Sequence, residues 1–336
     1  MKKHVLLSSV TCLFLITALF FACDFLLSSY FPEIKPKAPA PSLKLRTEAG
    51  GGGNELNNPL TLKGLNTITV YAALYDAENN YQEDITVDWT ATGIISGNLS
   101  TTTGISTSFL ALQTEGTGRI TASHTTYGTY STDDIAVDNK LYLAEALQCR
   151  QNPENSAFKA AAYWQFYGGQ SYGGSYARCV LLWPLTDGLP ENADSVSFLI
   201  FHYQCSSSTT SPNNEHASIY QINEAWEDSL ITTWDDPDKP DHNTGAAEAA
   251  YGLICCAAAC SSTLDQWIEI PNMTAYYNTW IDNPSFYGFV LYSDNAWDMN
   301  DIISVRGATY SEPNYRPRLR ITKDSDTVDF TLEQLP

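Results

Sequence analysis

The side chains able to do chemistry in this chain of 336 residues are aromatic and acidic, not nucleophilic. Indole and phenol rings stack well on flat apolar faces such as the C–H faces of sugars. Trp226, Trp234, Trp280 and Trp297 are the obvious rings for that task. Trp297 is the best placed of them, because Ser293-Asp294-Asn295-Ala296-Trp297-Asp298 reads as a polar surface loop. The stretch Phe166 to Tyr176 mixes Tyr with Gly, a composition suited to a mobile contact loop or a plain connection. Tyr167, Tyr172, Tyr176 and the nearby Arg178 are therefore further ligand-binding candidates. Two acidic runs offer carboxylates to a cation: Asp235, Asp236 and Asp238 in one, Asp294 and Asp298 in the other. Calcium takes six to eight oxygens from such loops. Neither run follows an EF-hand spacing, so Ca2+ is a possible ligand and not a required cofactor.

Catalysis finds little support. Beyond the leader the histidines are His124, His202, His216 and His242, with no G-x-S-x-G and no H-E-x-x-H. Glu224 and Glu227 are carboxylates, but nothing places two carboxyls at the roughly 5–10 Å separation that glycoside cleavage requires. The expectation is a non-catalytic protein.

Those residues must be positioned by strands. Thr67–Tyr75, Ile85–Thr90, Ser106–Ala111 and Gly118–Ser123 alternate apolar with polar residues, the two-residue period of half-buried strands. Farther on, Val196–Tyr203, Ala217–Ile222 and Tyr287–Tyr292 form short apolar runs bounded by turn residues. The predicted fold class is all-β: two tandem β-sandwich domains after an N-terminal membrane-targeting segment.

The chain opens with a basic start, Met1-Lys2-Lys3-His4, and an apolar run from Val5 to Ala22, the pattern of a secretory signal. Residues 1–23 are read as a signal peptide or membrane anchor. Leu19-Phe20-Phe21-Ala22-Cys23 resembles a bacterial lipobox, which implies lipidation at Cys23. An uncleaved span is the alternative, because ~20 apolar residues suffice to cross a bilayer. Residues 24–58 read as a Pro/Gly-rich linker, with the prolines between Pro32 and Pro41 favouring an extended stalk. Residues 59–138 form the first domain, 140–322 the second, and 323–336 a tail.

Charge excludes one partner class. The net charge is −20, split as −5 over residues 1–139 and −15 over 140–336. Such a surface repels phosphate backbones, so nucleic acid is not an expected partner, and an anionic polysaccharide is likewise disfavoured unless a cation bridges it. Of eight cysteines, Cys149, Cys179, Cys205, Cys255, Cys256 and Cys260 fall in the second domain. In an exported domain these permit up to three disulfides, with the connectivity open. A zinc site at Cys256 and Cys260 is the less favoured alternative.

Two resemblances sharpen the reading. The first domain, with Trp89 ending a strand and Gly118-Arg119-Ile120-Thr121-Ala122 near its close, resembles bacterial immunoglobulin-like domains. That implies a spacer or adhesive module with Trp89 in its core. In the second, Arg178 with Val180–Leu185 precedes Gly188-Leu189-Pro190. Ile219–Ile222 with Trp226-Glu227, Ile231–Trp234, Trp267–Ile270, Tyr277–Trp280, Tyr287–Leu291 and Tyr315–Leu319 follow in order. This sequence of motifs resembles the DNRLRE family, a β-sandwich of bacterial and archaeal surface proteins, and implies a jelly-roll-like carbohydrate-binding module. On that resemblance Trp226 and Trp234 are packing residues. The expected protein is extracytoplasmic and anchored to the cell membrane or outer surface, with a polysaccharide or cell-surface glycan as partner. A structural or adhesive role through protein–protein contacts is the alternative.

Overall fold

A computed structural model describes residues 40–112, 114–151, 156–159, 162–171, 174–206, 216–222, 224–232, 251–258, 265–281, 283–293 and 302–335. Strand follows strand with a single short α-helix among these residues, so the fold is all-β.

The first unit contains β1 (Ser42–Arg46), β2 (Leu60–Leu62), β3 (Thr67–Tyr75), β4 (Tyr81–Asp84) and β5 (Val87–Gly93). It continues with β6 (Thr103–Gly104), β7 (Ser106–Leu110), β8 (Gly116–His124), β9 (Gly128–Ser131) and β10 (Ile135–Val137). One sheet is built on β3, which pairs with β1, β4 and β7; the other runs β2-β10-β8-β5-β6, with β9 also on β8. Ile68, Val70 and Ala72 of β3 face Val87 and Trp89 of β5 and Ile120 and Ala122 of β8 in one apolar core. Trp89 is buried, and its indole N–H donates to the Gly104 carbonyl at 3.0 Å, so its polar atom is satisfied inside the core.

Two boundaries differ from the sequence reading. The stretch 24–58, read as a linker, contains β1, which pairs antiparallel with β3 and buries Leu43 and Leu45. Residues 323–336, read as a tail, contain β22 (Asp326–Gln334), which pairs with two strands and buries Val328, Phe330 and Leu332. Both segments carry a clean alternation, Leu-Lys-Leu and Val-Asp-Phe-Thr-Leu. Neighbouring Pro and Gly masked the first, and position at the chain end masked the second.

The second unit contains β11 (Lys140–Gln151), β12 (Ser156–Lys159), β13 (Tyr163–Ser171), β14 (Gly174–Pro184), β15 (Ser195–Ser206) and β16 (His216–Ile222). Then come β17 (Tyr251–Ala258), β18 (Gln266–Ile270), α1 (Thr274–Trp280), β19 (Phe289–Ser293), β20 (Ile302–Arg306), β21 (Arg318–Lys323) and β22. Several strands change partners midway, β11 and β13 among them. β11 pairs with β22 through residues 140–143 and with β14 beyond. β13 pairs with β20 through residues 163–166 and with β14 through 167–171. These crossings fold the ladder into two layers, one built on β14, β19 and β16, the other on β15, β18, β20, β21 and β22. Between them lies the main core, where Trp164, Val180, Leu182, Phe198, Ile200, Phe289, Leu319 and Phe330 meet. The helix α1 caps this core with Tyr277 and Trp280, which stacks at 4.7 Å on Phe286 and at 5.8 Å on Phe289. Trp280 is thereby a packing residue and is removed from the list of stacking candidates.

The two units are locked together. Leu65, at φ 63°, is buried in the second unit's core with Leu141, Leu189 and Val328. Lys63 bridges to the Asp138 carboxylate at 2.7 Å and donates to the Lys140 carbonyl at 2.6 Å. A Cβ at Gly64 would lie 2.7 Å from a Val328 methyl and from the Asn139 amide oxygen, so a larger residue there would have to push these side chains aside.

Candidate functional site

The pleat of β15 decides which of its residues reach solvent. Its register sets Phe198 and Ile200 against Ile270 and Ile268 on the core side. Leu199 and Phe201, in the alternate positions, are set against Glu269 and Trp267 on the outer face. On β20 the same alternation puts Val305 inside and Arg306 outside, paired with Tyr163 of β13.

On that outer face the rings form an unbroken run. Trp267 meets Phe201 at 5.4 Å, Phe201 meets Tyr315 at 4.6 Å, and Tyr315 meets Tyr310 at 6.4 Å. Tyr310 meets Tyr163 at 5.6 Å, and Tyr163 meets Tyr203 at 5.1 Å. Trp267 is 36 % exposed, Tyr315 36 % and Tyr163 44 %, so three of these large rings present substantial surface to solvent. Isolated exposed rings need no explanation, whereas a contiguous aromatic strip is a candidate contact surface.

Arginines hold the strip in place. The Arg306 guanidinium lies 4.1 Å from the Tyr203 ring centre, 4.4 Å from Tyr310 and 5.1 Å from Tyr163. Arg318 lies 4.7 Å from the Trp267 ring. Arg316 donates from Nε to the Tyr310 carbonyl at 2.8 Å and pairs with Glu333 at 3.0 Å, which ties down the segment bearing Tyr310 and Tyr315. Arg320 grips Asp329 with two hydrogen bonds of 2.7 and 3.0 Å, and Arg318 reaches the same carboxylate at 3.5 Å. Burial pushes the Tyr203 phenol upward in pKa, opposed by its Ser304 hydrogen bond and the Arg306 charge, so it stays neutral at physiological pH.

The opposite layer carries a second aromatic group, but a covered one. Trp183 meets Trp226 at 6.4 Å and Tyr287 at 5.8 Å, and the Trp226 N–H donates to the Tyr287 carbonyl at 2.8 Å. Trp226 and Ile231, on the segment after β16, close over Leu147, Cys149, Cys179 and Leu181. Trp226 is thus a packing residue, as expected. Cys149 and Cys179 are buried and directly opposite in the β11–β14 register. At the margin the Glu145 carboxylate accepts from the Asp228 N–H at 3.2 Å. Burial and then the Asp228 carboxyl, which shares a hydrogen bond with it, hold Glu145 above the usual carboxylate range.

None of the described ligand candidates named from the sequence is among the rings of this strip. Tyr167, Tyr176 and Arg178 are strand residues: Tyr167 pairs with Arg178, and Gly169 with Tyr176, in the β13–β14 hairpin. The expected loop from Phe166 to Tyr176 is therefore corrected, because Gly168, Gly169 and Gly174 sit within a paired ladder. Tyr172, Trp234, Trp297, Asp235, Asp236, Asp238, Asp294, Asp298 and the lipidation candidate Cys23 lie outside the described residues. Among the described residues no cluster of three His, Cys, Asp or Glu side chains could hold a metal ion. No helix among them is long and apolar enough to cross a membrane. The aromatic strip itself went unnamed. Its legible signal was Gln-Trp-Ile-Glu-Ile, where Trp267 shares the parity of Glu269 and so must point outward.

No protein-family model matches the chain, and no curated protein matches it. Among solved structures, one titled for the promiscuous specificity of carbohydrate-binding modules from the β-sandwich superfamily aligns over 81 % of this chain and 98 % of its own, at 12 % identity and TM-score 0.23. The secreted serine protease VesC from Vibrio cholerae aligns over 88 % of this chain and 52 % of its own, at 11 % identity and TM-score 0.16. The Bacteroides ovatus mixed-linkage glucan utilization locus protein SGBP-B, in complex with a heptasaccharide, aligns over 76 % of this chain and 80 % of its own, at 10 % identity and TM-score 0.12. Likenesses at these TM-scores carry no argument about function.

Proposed function

We propose that this is a carbohydrate-binding surface protein that engages glycan chains along the aromatic strip of its second sandwich. The observation that carries the reading is the contiguous run of rings from Trp267 to Tyr163, in which Trp267, Tyr315 and Tyr163 are exposed and Phe201 is buried beneath its neighbours. Sugar rings present apolar C–H faces to such a surface, and neighbouring polar groups then fix orientation. In this reading the second unit is a DNRLRE-like module and the first an immunoglobulin-like spacer. The N-terminal segment anchors both at a bacterial membrane, outside the cytoplasm.

The reading is non-catalytic. The carboxyl pair Glu145 and Asp228 is hydrogen-bonded to itself and Asp228 is buried, whereas glycoside cleavage needs two carboxyls on either side of a bound sugar. The test is retardation of the full-length protein in gels containing each of a panel of polysaccharides. Retardation by at least one polymer is expected, with loss in the double variant Trp267→Ala/Tyr315→Ala. A folded protein retarded by none would sink the reading and favour an adhesive role through protein contacts.

A further inference from the structure

Arg306 differs from the other arginines of this face. Arg316 pairs with Glu333, and Arg318 and Arg320 pair with Asp329. Arg306 has no carboxylate and no hydrogen-bond acceptor among the described residues. The chain carries 38 acidic and 18 basic side chains, so partners are in surplus, and a lone guanidinium on an exposed strip needs an explanation. Its surroundings, Tyr203, Tyr310 and Tyr163, stabilise the cation through their ring faces without neutralising it. Arg306 is half-buried, so a cation held this way keeps part of its surface open to an anion.

We infer that Arg306 and the tyrosines around it form a subsite for a sulfate half-ester on the bound glycan. This rests on the glycan-binding reading and adds the ligand's charge to it. The choice of sulfate follows from the geometry of the guanidinium. Carboxylates favour a planar two-pronged match, for which the edge carrying Nε is one of the two available forks. Here the Arg306 Nε is buried, which closes that edge to any ligand. The terminal nitrogens remain as the other fork, which a carboxylate uses best in the guanidinium plane, whereas a sulfate, with three equivalent oxygens, can also accept from them out of that plane. The net charge of −20 disfavours a polyanion overall, but repulsion is screened beyond about 8–10 Å at physiological salt, so what a sulfate at this subsite feels is set by the charges close to Arg306.

The experiment measures Kd of the full-length protein for a sulfated galactan, the same galactan after chemical desulfation, and polygalacturonate. The sulfated polymer is expected to bind on the order of tenfold tighter than its desulfated form, the scale of one or two charge-assisted hydrogen bonds. That preference should collapse to near one in Arg306→Gln and survive in part in Arg306→Lys, with unfolding temperatures confirming that both variants fold. A preference unchanged in Arg306→Gln, or no preference in the parent, would overturn the subsite while leaving the glycan reading standing. Tightest binding to polygalacturonate, lost in Arg306→Gln, would replace sulfate by carboxylate. No binding to any of these or to other polysaccharides would remove the subsite together with the glycan reading.

Discussion

Replacing Trp267 by alanine should weaken glycan binding by an amount that the structure bounds. A large aromatic side chain has about 150–250 Å2 to bury. With Trp267 36 % exposed, about 90 Å2 of indole is left for a ligand to cover, taking the upper end of that range. At about 25 cal/mol per Å2 this is worth about 2 kcal/mol. Ordering and desolvation costs take part of that, so the expected loss is about 1–2 kcal/mol, roughly 5- to 30-fold in Kd. Trp267 also packs on Phe201 and receives the Arg318 guanidinium, so the alanine variant needs a folding control. Trp267→Phe keeps a ring on the same site and should retain most of the affinity. The assay is calorimetric titration of the full-length protein with whichever polymer retards it, alongside thermal unfolding. A folded Trp267→Ala protein whose Kd stays within about twofold of the parent would refute the claim that the strip is the contact surface.

Three further outcomes concern the scaffold. Leu65→Ala should destabilise the second unit by about 2–5 kcal/mol, the usual cost of emptying a buried leucine site, because Leu65 fills that unit's core from outside it. Thermal unfolding should shift down by roughly 5–15 °C, and an unchanged transition would mean that the two units are not locked. Gly288→Ala should be severely destabilising, since φ is +93° and a Cβ would meet the Leu182 carbonyl oxygen at 2.1 Å; near-parental stability in denaturant titration would contradict that geometry. Glu145 offers a pH test. Its folded pKa is raised, chiefly by burial and then by Asp228, so its protonated form is the one the fold favours. Its contribution is therefore best at acid pH and is lost as pH rises from the ordinary glutamate value through the raised one. Glu145→Gln should stabilise the protein at neutral pH and flatten the dependence over that window, as read by unfolding temperature against pH.

The fold was more legible than the site, for a reason visible in individual strands. β3, β7 and β8 lie close to where alternation put them, because one face of each is apolar and the other is rich in Thr and Ser. In β15 the run Val196-Ser197-Phe198-Leu199-Ile200-Phe201-His202-Tyr203 is apolar on both faces. Phe198 and Phe201 are chemically alike there, and only the register with β18 and β21 shows that one lies in the core and the other on the outer face. The strip is also assembled from β13, β15, β18, β20 and the segment before β21, so Tyr163 and Tyr315 are neighbours of neighbours in space while 152 positions apart in the chain. Composition drew attention instead to Tyr and Gly in 166–176, where the same residues form a paired hairpin.

In the proposed reading most of the strip stands on strands, with Trp267, Phe201, Tyr203 and Tyr163 on extended backbone and Tyr310 and Tyr315 on a connecting segment that Arg316 ties down. A ring on an extended backbone is held at both ends by ladder hydrogen bonds, so little side-chain freedom is lost when a ligand covers it. Arg306 and Arg318 reduce that freedom further by pinning the rings of Tyr203, Tyr310 and Trp267. A preorganised flat strip suits a stiff polymer that presents ring after ring, whereas a mobile Tyr-Gly loop would have to be ordered anew for each sugar it met.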